Sequence, residues 1–189
     1  MSLALSVTGL LGGVVLLCSF MQLYQRRVGA MIILSQLAAF ALAALALSRA
    51  AVQFYLVAGL IMGLAGIALP WCLRRLAERY DPSVALAPMA IRLVLGVGLV
   101  ALVLAVVPPA YQDMAVALAV LLLAMLLMLV QAHKLIWLIG LSAMVNGVVL
   151  ALLNLPSLPF IVIWIAVLLL LPLASALVLV WRRTQEAEQ

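Results

Sequence analysis

Seven long apolar runs, separated by short connections, dominate the sequence. A helix that crosses a lipid bilayer needs about 20 mostly apolar residues, and each run comes close to that length. Hydrophobic residues make up 70% of the chain and charged residues 8%, whereas soluble domains are about 45–50% apolar and about 25% charged. We therefore predict an all-α integral membrane protein with seven transmembrane helices, numbered 1 to 7. They cover residues 3–24, 28–47, 52–73, 89–107, 114–130, 135–153 and 160–181.

The connections predict a single membrane domain over residues 1–189 with a definite orientation. Residues 74–88 form the one long polar loop, and residues 182–189 form a short tail. If successive helices alternate in direction, only Arg49 lies on one side of the membrane. The other side collects Arg26, Arg27, Arg74, Arg75, Arg79, Lys134, Arg182 and Arg183, with Arg92 near the same surface. Because short cytoplasmic loops are rich in Lys and Arg, this pattern predicts an outside N-terminus and a cytoplasmic C-terminus in a bacterial or archaeal cell membrane.

The net charge of +5 follows from these loops. The sequence lacks the interleaved aromatic and basic residues that bind single strands, so no nucleic acid partner is expected. The first apolar run has no basic lead-in and no clear A-x-A cleavage site. We interpret it as a retained transmembrane helix and not as a signal peptide.

The chain also contains an internal repeat at a shift of 107 positions. This shift aligns Arg27 with Lys134 and Ser35 with Ser142, so helices 1 to 3 correspond to helices 5 to 7 and helix 4 links them. Because the shift equals four helices, the two copies cross the membrane in the same direction and form a parallel 3+1+3 repeat. Parallel repeats occur among transport proteins. Helices rich in alanine and leucine also resemble one another by composition alone.

Small residues at helical spacing predict sites of helix packing. Residues four apart lie on one face of a helix, where small side chains let another backbone approach closely. The spacing does not decide whether the contact lies within this chain or against another subunit. The predicted packing residues are Gly9, Gly13, Gly59, Gly63, Gly66, Gly140, Ala143, Gly147 and Ala151.

Four polar residues within the apolar runs form a candidate site: Ser35, Gln36, Ser142 and Asn146. Ser142 and Asn146 share one stripe of helix 6 because they are four apart. If the two copies of the repeat face each other, these residues form a polar patch near the cytoplasmic half of the bilayer. It would serve either as a water site beside a proton route or as interhelical hydrogen bonds worth about 0.6 kcal/mol each.

The acidic residues all lie in loops, helix ends or the tail, at positions 78, 81, 113, 186 and 188. Charged groups inside a bilayer are costly and usually mark an ion or proton path, so we expect no proton relay within this chain. The residues also predict no catalytic site, no cofactor and no metal site. Cys18 and Cys72 are isolated, and the single histidine, His133, stands at a membrane boundary.

The order of these features resembles the hydrogenase-4 component E family. A basic doublet precedes helix 2, which has an early glutamine, and helix 3 has a proline near its cytoplasmic end. Helix 6 reads basic-x-I-x-x-x-G-x-x-x-x-x-N-G followed by V-V-L-A-L-L. The residues that carry the resemblance are Arg26, Arg27, 34–37, Leu69, Pro70, Lys134, Ile136, Gly140, Asn146, Gly147 and 148–153. This family is related to the K subunit of respiratory complex I and to the matching subunit of multisubunit cation/proton antiporters.

The resemblance implies an accessory, non-catalytic subunit in the proton- or cation-translocating membrane arm of a complex-I-like or group 4 hydrogenase-like assembly. Its implied partners are larger antiporter-like subunits, other small membrane subunits, membrane lipid and a soluble redox module elsewhere in the complex. Relatives often carry a glutamate before the asparagine-glycine pair and a lysine about five residues before the helix 3 proline. Here those positions hold Val145 and Ala65. The resemblance then implies a subunit that fills space between its neighbours, sets their spacing and anchors them, while those neighbours conduct ions.

Two other functions stay open at the level of sequence. The first is a self-contained small transporter or permease, with its substrate between two parallel three-helix units. The second is a lipid- or quinone-contacting anchor for a redox enzyme, with a soluble partner docked on the arginines at 74, 75, 79, 182 and 183.

Overall fold

The computed structural model describes residues 2–49, 52–78, 89–108, 111–130, 134–155 and 161–187. Within these residues the regular structure is helical and no strand occurs. The helices are α1 (Ser2–Tyr24), α2 (Val28–Ser48), α3 (Val52–Leu60, Ile61–Ala68 and Leu69–Ala77 in succession), α4 (Met89–Val106), α5 (Gln112–Val130), α6 (Lys134–Asn154) and α7 (Ile161–Ala187). In order, α1 to α7 correspond to the predicted helices 1 to 7.

The middle segment of α3 is a π-helix over Ile61–Ala68. The backbone stays helical at both of its ends, with φ −63° and ψ −47° at Leu60 and φ −64° and ψ −48° at Leu69. The three segments therefore form one continuous helix. A π-helical stretch of this kind is rare and is often found at functional sites.

Six of the helices are long and apolar enough to cross a membrane. The prediction of an all-α, multi-pass membrane protein is therefore confirmed for the part of the chain that the structure describes. The remaining helix, α4, is a shorter apolar helix over Ala90–Val106. A seventh crossing by α4 stays a prediction.

Two helices continue past their predicted ends. α3 ends at Ala77, so Arg74 and Arg75 form its last turn and do not begin the loop. Basic side chains are favoured there by the negative end of the helix dipole. α7 likewise continues to Ala187, through most of the predicted tail. The predicted loop residues 79–88 lie outside the described residues.

The helices pack as two three-helix layers, α1–α2–α3 and α5–α6–α7. Each helix of the first layer contacts its counterpart in the second: α1 packs on α5, α2 on α6 and α3 on α7. α4 lies at one edge, against α1 and α5. The central helices α2 and α6 are the most buried of the six candidate spans. Alanines at 38, 39, 41, 43 and 46 allow α2 to occupy this crowded central position.

Hydrogen bonds at two heights show that α2 and α6 run in the same direction. Ser35 contacts Ser142 near the start of both helices, and Arg49 contacts Asn154 near their ends. Consequently the N-termini of α2 and α6 lie at the same end of the bundle. This end, here called the basic end, carries most of the described positive charge. Its described basic residues are Arg26, Arg27, Arg74, Arg75, Arg92 and Lys134.

Candidate functional site: a buried polar array

A pair of serines joins the two layers of the bundle. The hydroxyl oxygens of Ser35 on α2 and Ser142 on α6 are 3.2 Å apart, and either can be the donor. Both residues are 2% exposed, so the hydrogen bond forms away from the protein surface. The two positions are 107 apart, which is the shift of the predicted repeat.

Asn146 lies one turn further along the same face of α6. It is 2% exposed, and its Oδ1 atom has no hydrogen-bond partner in the structure. An unmade hydrogen bond at a buried amide costs about 1–3 kcal/mol in proteins. Asn146 is therefore a costly residue at this position, and its oxygen is the one acceptor in the array that is left for water or another added donor.

Gln36 does not join the serine pair but turns toward α3. Its Nε2 donates to the carbonyl oxygen of Gly66 at 3.0 Å, and its Oε1 accepts from a guanidinium nitrogen of Arg74 at 2.9 Å. Gln36 thus links the buried interior to an exposed arginine at the basic end. We refer to Ser35, Gln36, Arg74, Ser142 and Asn146 together as the polar array.

The bond from Gln36 to Gly66 follows from the proline in α3. In an α-helix the carbonyl of Gly66 would accept from the amide four residues later, but that residue is Pro70, which has no N–H. Leu69 donates to Leu64, five residues back, in the π pattern. The proline thus removes one backbone donor from this part of α3, and the side chain of Gln36, on a neighbouring helix, supplies a donor to the carbonyl of Gly66. Pro70 is visible in the sequence, but the hydrogen bond from Gln36 to Gly66 beside it was not predicted.

The polar array does not continue to the other end of the bundle in the described structure. Beyond Asn146, α6 presents the buried side chains of Val149, Leu150 and Leu153. The next polar residue of α6 is Asn154, which accepts from Arg49 at 2.8 Å. At about 1.5 Å of rise per residue, the eight steps from Asn146 to Asn154 span about 12 Å of apolar core.

A buried arginine lies beside the basic end. The sequence places Arg92 near that surface, and the structure puts its side chain inside the bundle there, at 1% exposure. One guanidinium nitrogen donates to the carbonyl of Leu23 at 2.8 Å, while Nε has no partner. Gly96, one turn along α4, makes this approach feasible, because a Cβ there would lie 2.9 Å from a methyl of Leu23. Neither the burial of Arg92 nor the role of Gly96 was predicted.

The predicted packing glycines fall into two groups. Gly66, Gly140 and Gly147 are buried at close approaches within the chain. A Cβ on Gly147 would lie 2.9 Å from the backbone nitrogen of Leu121, and one on Gly140 would collide with Met128. Ala143 is buried and Ala151 is half-buried on the same helix.

The other four predicted packing glycines make no close helix contact with the described residues. Gly9 and Gly13 on α1, and Gly59 and Gly63 on α3, are exposed, and an added Cβ at any of them would meet nothing within 4 Å. We call these two surfaces the open glycine faces. Close packing there requires something outside this chain.

The two positions that the hydrogenase-4 component E resemblance singles out are apolar and buried here. Val145 and Ala65 are each 4% exposed and belong to the same apolar core cluster. Ser19 and Ser175 donate to the carbonyls four residues earlier in their own helices, so their hydroxyls are satisfied locally. The hydroxyls of these two serines therefore add no further step to the array.

Within the described residues no three His, Cys, Asp or Glu side chains come close enough to hold a metal ion. Cys18 and Cys72 are buried free thiols, and His133 lies outside the described residues. No family model, no curated protein and no solved structure matches the chain.

Proposed function

We propose that this protein is an accessory integral membrane subunit that packs against larger membrane subunits and has no ion relay of its own. The observation that carries the proposal is the position of the polar array: its residues lie toward the basic end, and about 12 Å of apolar core follow Asn146 along α6. A chain that conducts protons or cations unaided needs polar groups or water along its whole path.

The assembly that we propose is a complex-I-like or group 4 hydrogenase-like membrane arm, as the resemblance to the hydrogenase-4 component E family implies. The larger antiporter-like neighbours would carry the ions. Val145 and Ala65 support this division of roles, because both are apolar where such relatives often carry a charge. In the proposed arrangement the basic end faces the cytoplasm, the N-terminus lies outside, and the two layers derive from a parallel repeat.

The open glycine faces support a partner within the membrane. Lipid tails are as apolar as leucine, so helices associate in a bilayer through close van der Waals contact at small residues. Gly13 lines an apolar groove of about 440 Å³ between α1 and α4, with Leu17 and Leu104 along its walls. Such a groove accepts the side chains of an apolar helix without leaving a polar group unpaired.

In this proposal the polar array holds the helices in register. The serine bond fixes the height of α2 against α6, while Gln36 fixes α2 against α3 and against Arg74. Each bond contributes about 0.6 kcal/mol, as is typical between membrane helices. The hydrogen bonds of the array therefore select one arrangement of the two layers. Their contribution to the free energy of folding is small.

Affinity purification of the tagged chain from its native membrane tests the proposal. Larger membrane subunits are expected to copurify with the wild-type chain and to be lost from Gly13→Leu and Gly63→Leu variants, which insert bulk on the open glycine faces. Leu10→Ala is the matched control, because Leu10 is exposed on α1 and the change only removes bulk. A chain that purifies alone under mild conditions contradicts the assembly role.

Ion transfer is measured separately in the assembled complex. Replacing Asn146 and Gln36 with leucine is expected to leave proton or cation pumping largely intact, since neither residue lies on a continuous path. A severe loss of pumping in a fully assembled complex would refute the purely structural role.

A self-contained small transporter is the second candidate, and the face-to-face packing of the two layers favours it. Such a protein would be stable alone or as a homo-oligomer. Reconstitution of the purified chain into sealed vesicles separates the candidates, because vectorial uptake by the chain alone would establish the transporter.

A further inference from the structure

A large groove opens at the basic end between three helices of the second layer. It has a volume of about 980 Å³ and is lined by the end of α5, the start of α6 and the C-terminal half of α7. Leu129 on α5, Leu138 on α6 and Val178 on α7 form much of its apolar wall. The groove faces outward between helices that are long and apolar enough to span a membrane, so its surroundings are lipid.

Among the described residues that line this groove, Lys134 carries a positive charge. Lys134 lines it as the first residue of α6, where the positive end of the helix dipole also favours an anion. Lys134 is exposed, and none of the hydrogen bonds within the described structure involves its ammonium group. A long lysine side chain can therefore extend along the apolar wall and place its charge at the height of the lipid headgroups.

An indole ring lies one turn deeper than this charge. Trp137 lines the same groove and is 47% exposed. Tryptophan is favoured at membrane interfaces, because its ring is apolar and its N–H can meet a headgroup oxygen. From the basic end inward, the groove thus offers a cation, an amphipathic ring and then aliphatic side chains, which is the order of groups in an anionic phospholipid.

We propose that this groove binds an anionic phospholipid of the leaflet at the basic end. The phosphate lies against Lys134, and an acyl chain follows Trp137 and the aliphatic wall between α6 and α7. Basic pockets between transmembrane helices recognise headgroups in this way. The groove between α1 and α4 makes a useful contrast, because its lining is apolar throughout and gives no preference for a headgroup charge.

Fluorescence quenching by brominated lipid tests the proposal on the full-length chain in lipid nanodiscs. The reporter is a variant with Trp71, Trp164 and Trp181 changed to phenylalanine, which leaves Trp137 as its only tryptophan. All three replaced side chains are more than half exposed, so the changes leave the core intact. Phosphatidylglycerol brominated on its acyl chains is expected to quench Trp137 more strongly than brominated phosphatidylcholine at the same mole fraction.

Lys134→Gln in the same background is expected to reduce the preference for phosphatidylglycerol about fivefold, as for one basic residue at an anionic membrane surface. Arg75→Gln is the matched control, because Arg75 is an exposed arginine at the same end and does not line the groove. It is expected to keep the preference. Soluble glycerol phosphate is expected not to compete, because it lacks the acyl chain.

Four results would overturn the proposal. They are equal quenching by the two lipids, an unchanged preference in Lys134→Gln, full competition by soluble glycerol phosphate, and a crosslink from Leu129→Cys to a copurifying polypeptide, which would mean that a protein fills the groove. The test needs only the fold, so its outcome is independent of the proposed assembly.

Discussion

The contact between Gly147 and α5 offers the sharpest test of the packing described above. A Cβ on Gly147 would lie 2.9 Å from the backbone nitrogen of Leu121 and 3.2 Å from its Cα. These atoms belong to the backbone of a neighbouring helix and not to the end of a flexible side chain. The Gly147→Ala variant therefore has to move α5 and α6 apart, and the second layer loses contact along the most extensive helix pair of the bundle.

The magnitude follows from the cost of adding one methyl to a tightly packed core, about 1–3 kcal/mol. Replacing a helical glycine by alanine also gains up to about 1 kcal/mol in helix propensity. Gly13→Ala carries the same propensity gain without the collision, because an added Cβ at Gly13 meets nothing within 4 Å. The free energies of unfolding of the two variants are therefore expected to differ by about 1–3 kcal/mol, with Gly13→Ala the more stable.

Reversible unfolding in mixed micelles, with an increasing mole fraction of sodium dodecyl sulfate and detection by tryptophan fluorescence, measures this difference. Gly147→Ala should unfold at a lower fraction of the denaturing detergent than the wild type, and Gly13→Ala at an equal or higher fraction. Equal stabilities of the two alanine variants would mean that α5 and α6 do not approach as closely as the structure has them, and the packing argument would fail.

Three further changes probe the polar array and its surroundings. Ser35→Ala and Ser142→Ala, alone and together, should give a coupling energy of about 0.6 kcal/mol in a double-mutant cycle of detergent unfolding, and additive effects would exclude their hydrogen bond. Gln36→Leu should lower the free energy of unfolding by about 1–3 kcal/mol, because it leaves the carbonyl of Gly66 without its donor, whereas Gln36→Glu should cost less if Arg74 pairs with the new carboxylate. Val145→Glu should cost about 3 kcal/mol in the same assay, because it buries a carboxylate deep in α6; an unchanged stability would point to an unrecognised cation beside it.

The helical architecture was largely predictable, because each apolar run is set by the thickness of a bilayer. The positions of helix ends were less so. Arg74 and Arg75 mark a change to polar composition, yet a helix continues through basic residues until something breaks it, and α3 ends only at Ala77. Composition thus predicts where a helix leaves the membrane more accurately than it predicts the last residue of that helix.

Packing faces were predictable only in part. Glycines four apart are equally compatible with a contact inside the chain and with an open surface, and the two kinds occur here. Gly12, which was not singled out, turns toward Val116, with an added Cβ at 3.7 Å, while its neighbour Gly13 faces outward. One residue of helical rotation, about 100°, decides between the two, and a single sequence does not fix that angle when every face of a helix is apolar.

The polar array was also predictable only in part. The meeting of Ser35 and Ser142 could be expected from the predicted repeat, because equivalent positions on parallel central helices would lie at the same height. The bond from Gln36 to Gly66 lies beside Pro70 and the π-helical stretch of α3, so predicting it required the backbone geometry. The burial of Arg92 depended on how α4 leans on α1, which no periodicity in the sequence records.

The short edge helix also has a consequence for the surrounding membrane. At about 1.5 Å of rise per residue, the 18 residues of α4 extend about 27 Å, whereas the 23 residues of the adjacent α1 extend about 34 Å. If α4 crosses the membrane as predicted, lipids that touch both helices meet helix lengths that differ by several ångströms, so the bilayer has to thin beside α4, or α1 has to tilt. A crossing by α4 would then make this edge a site of hydrophobic mismatch, with a preference for short acyl chains or for short helices of a partner.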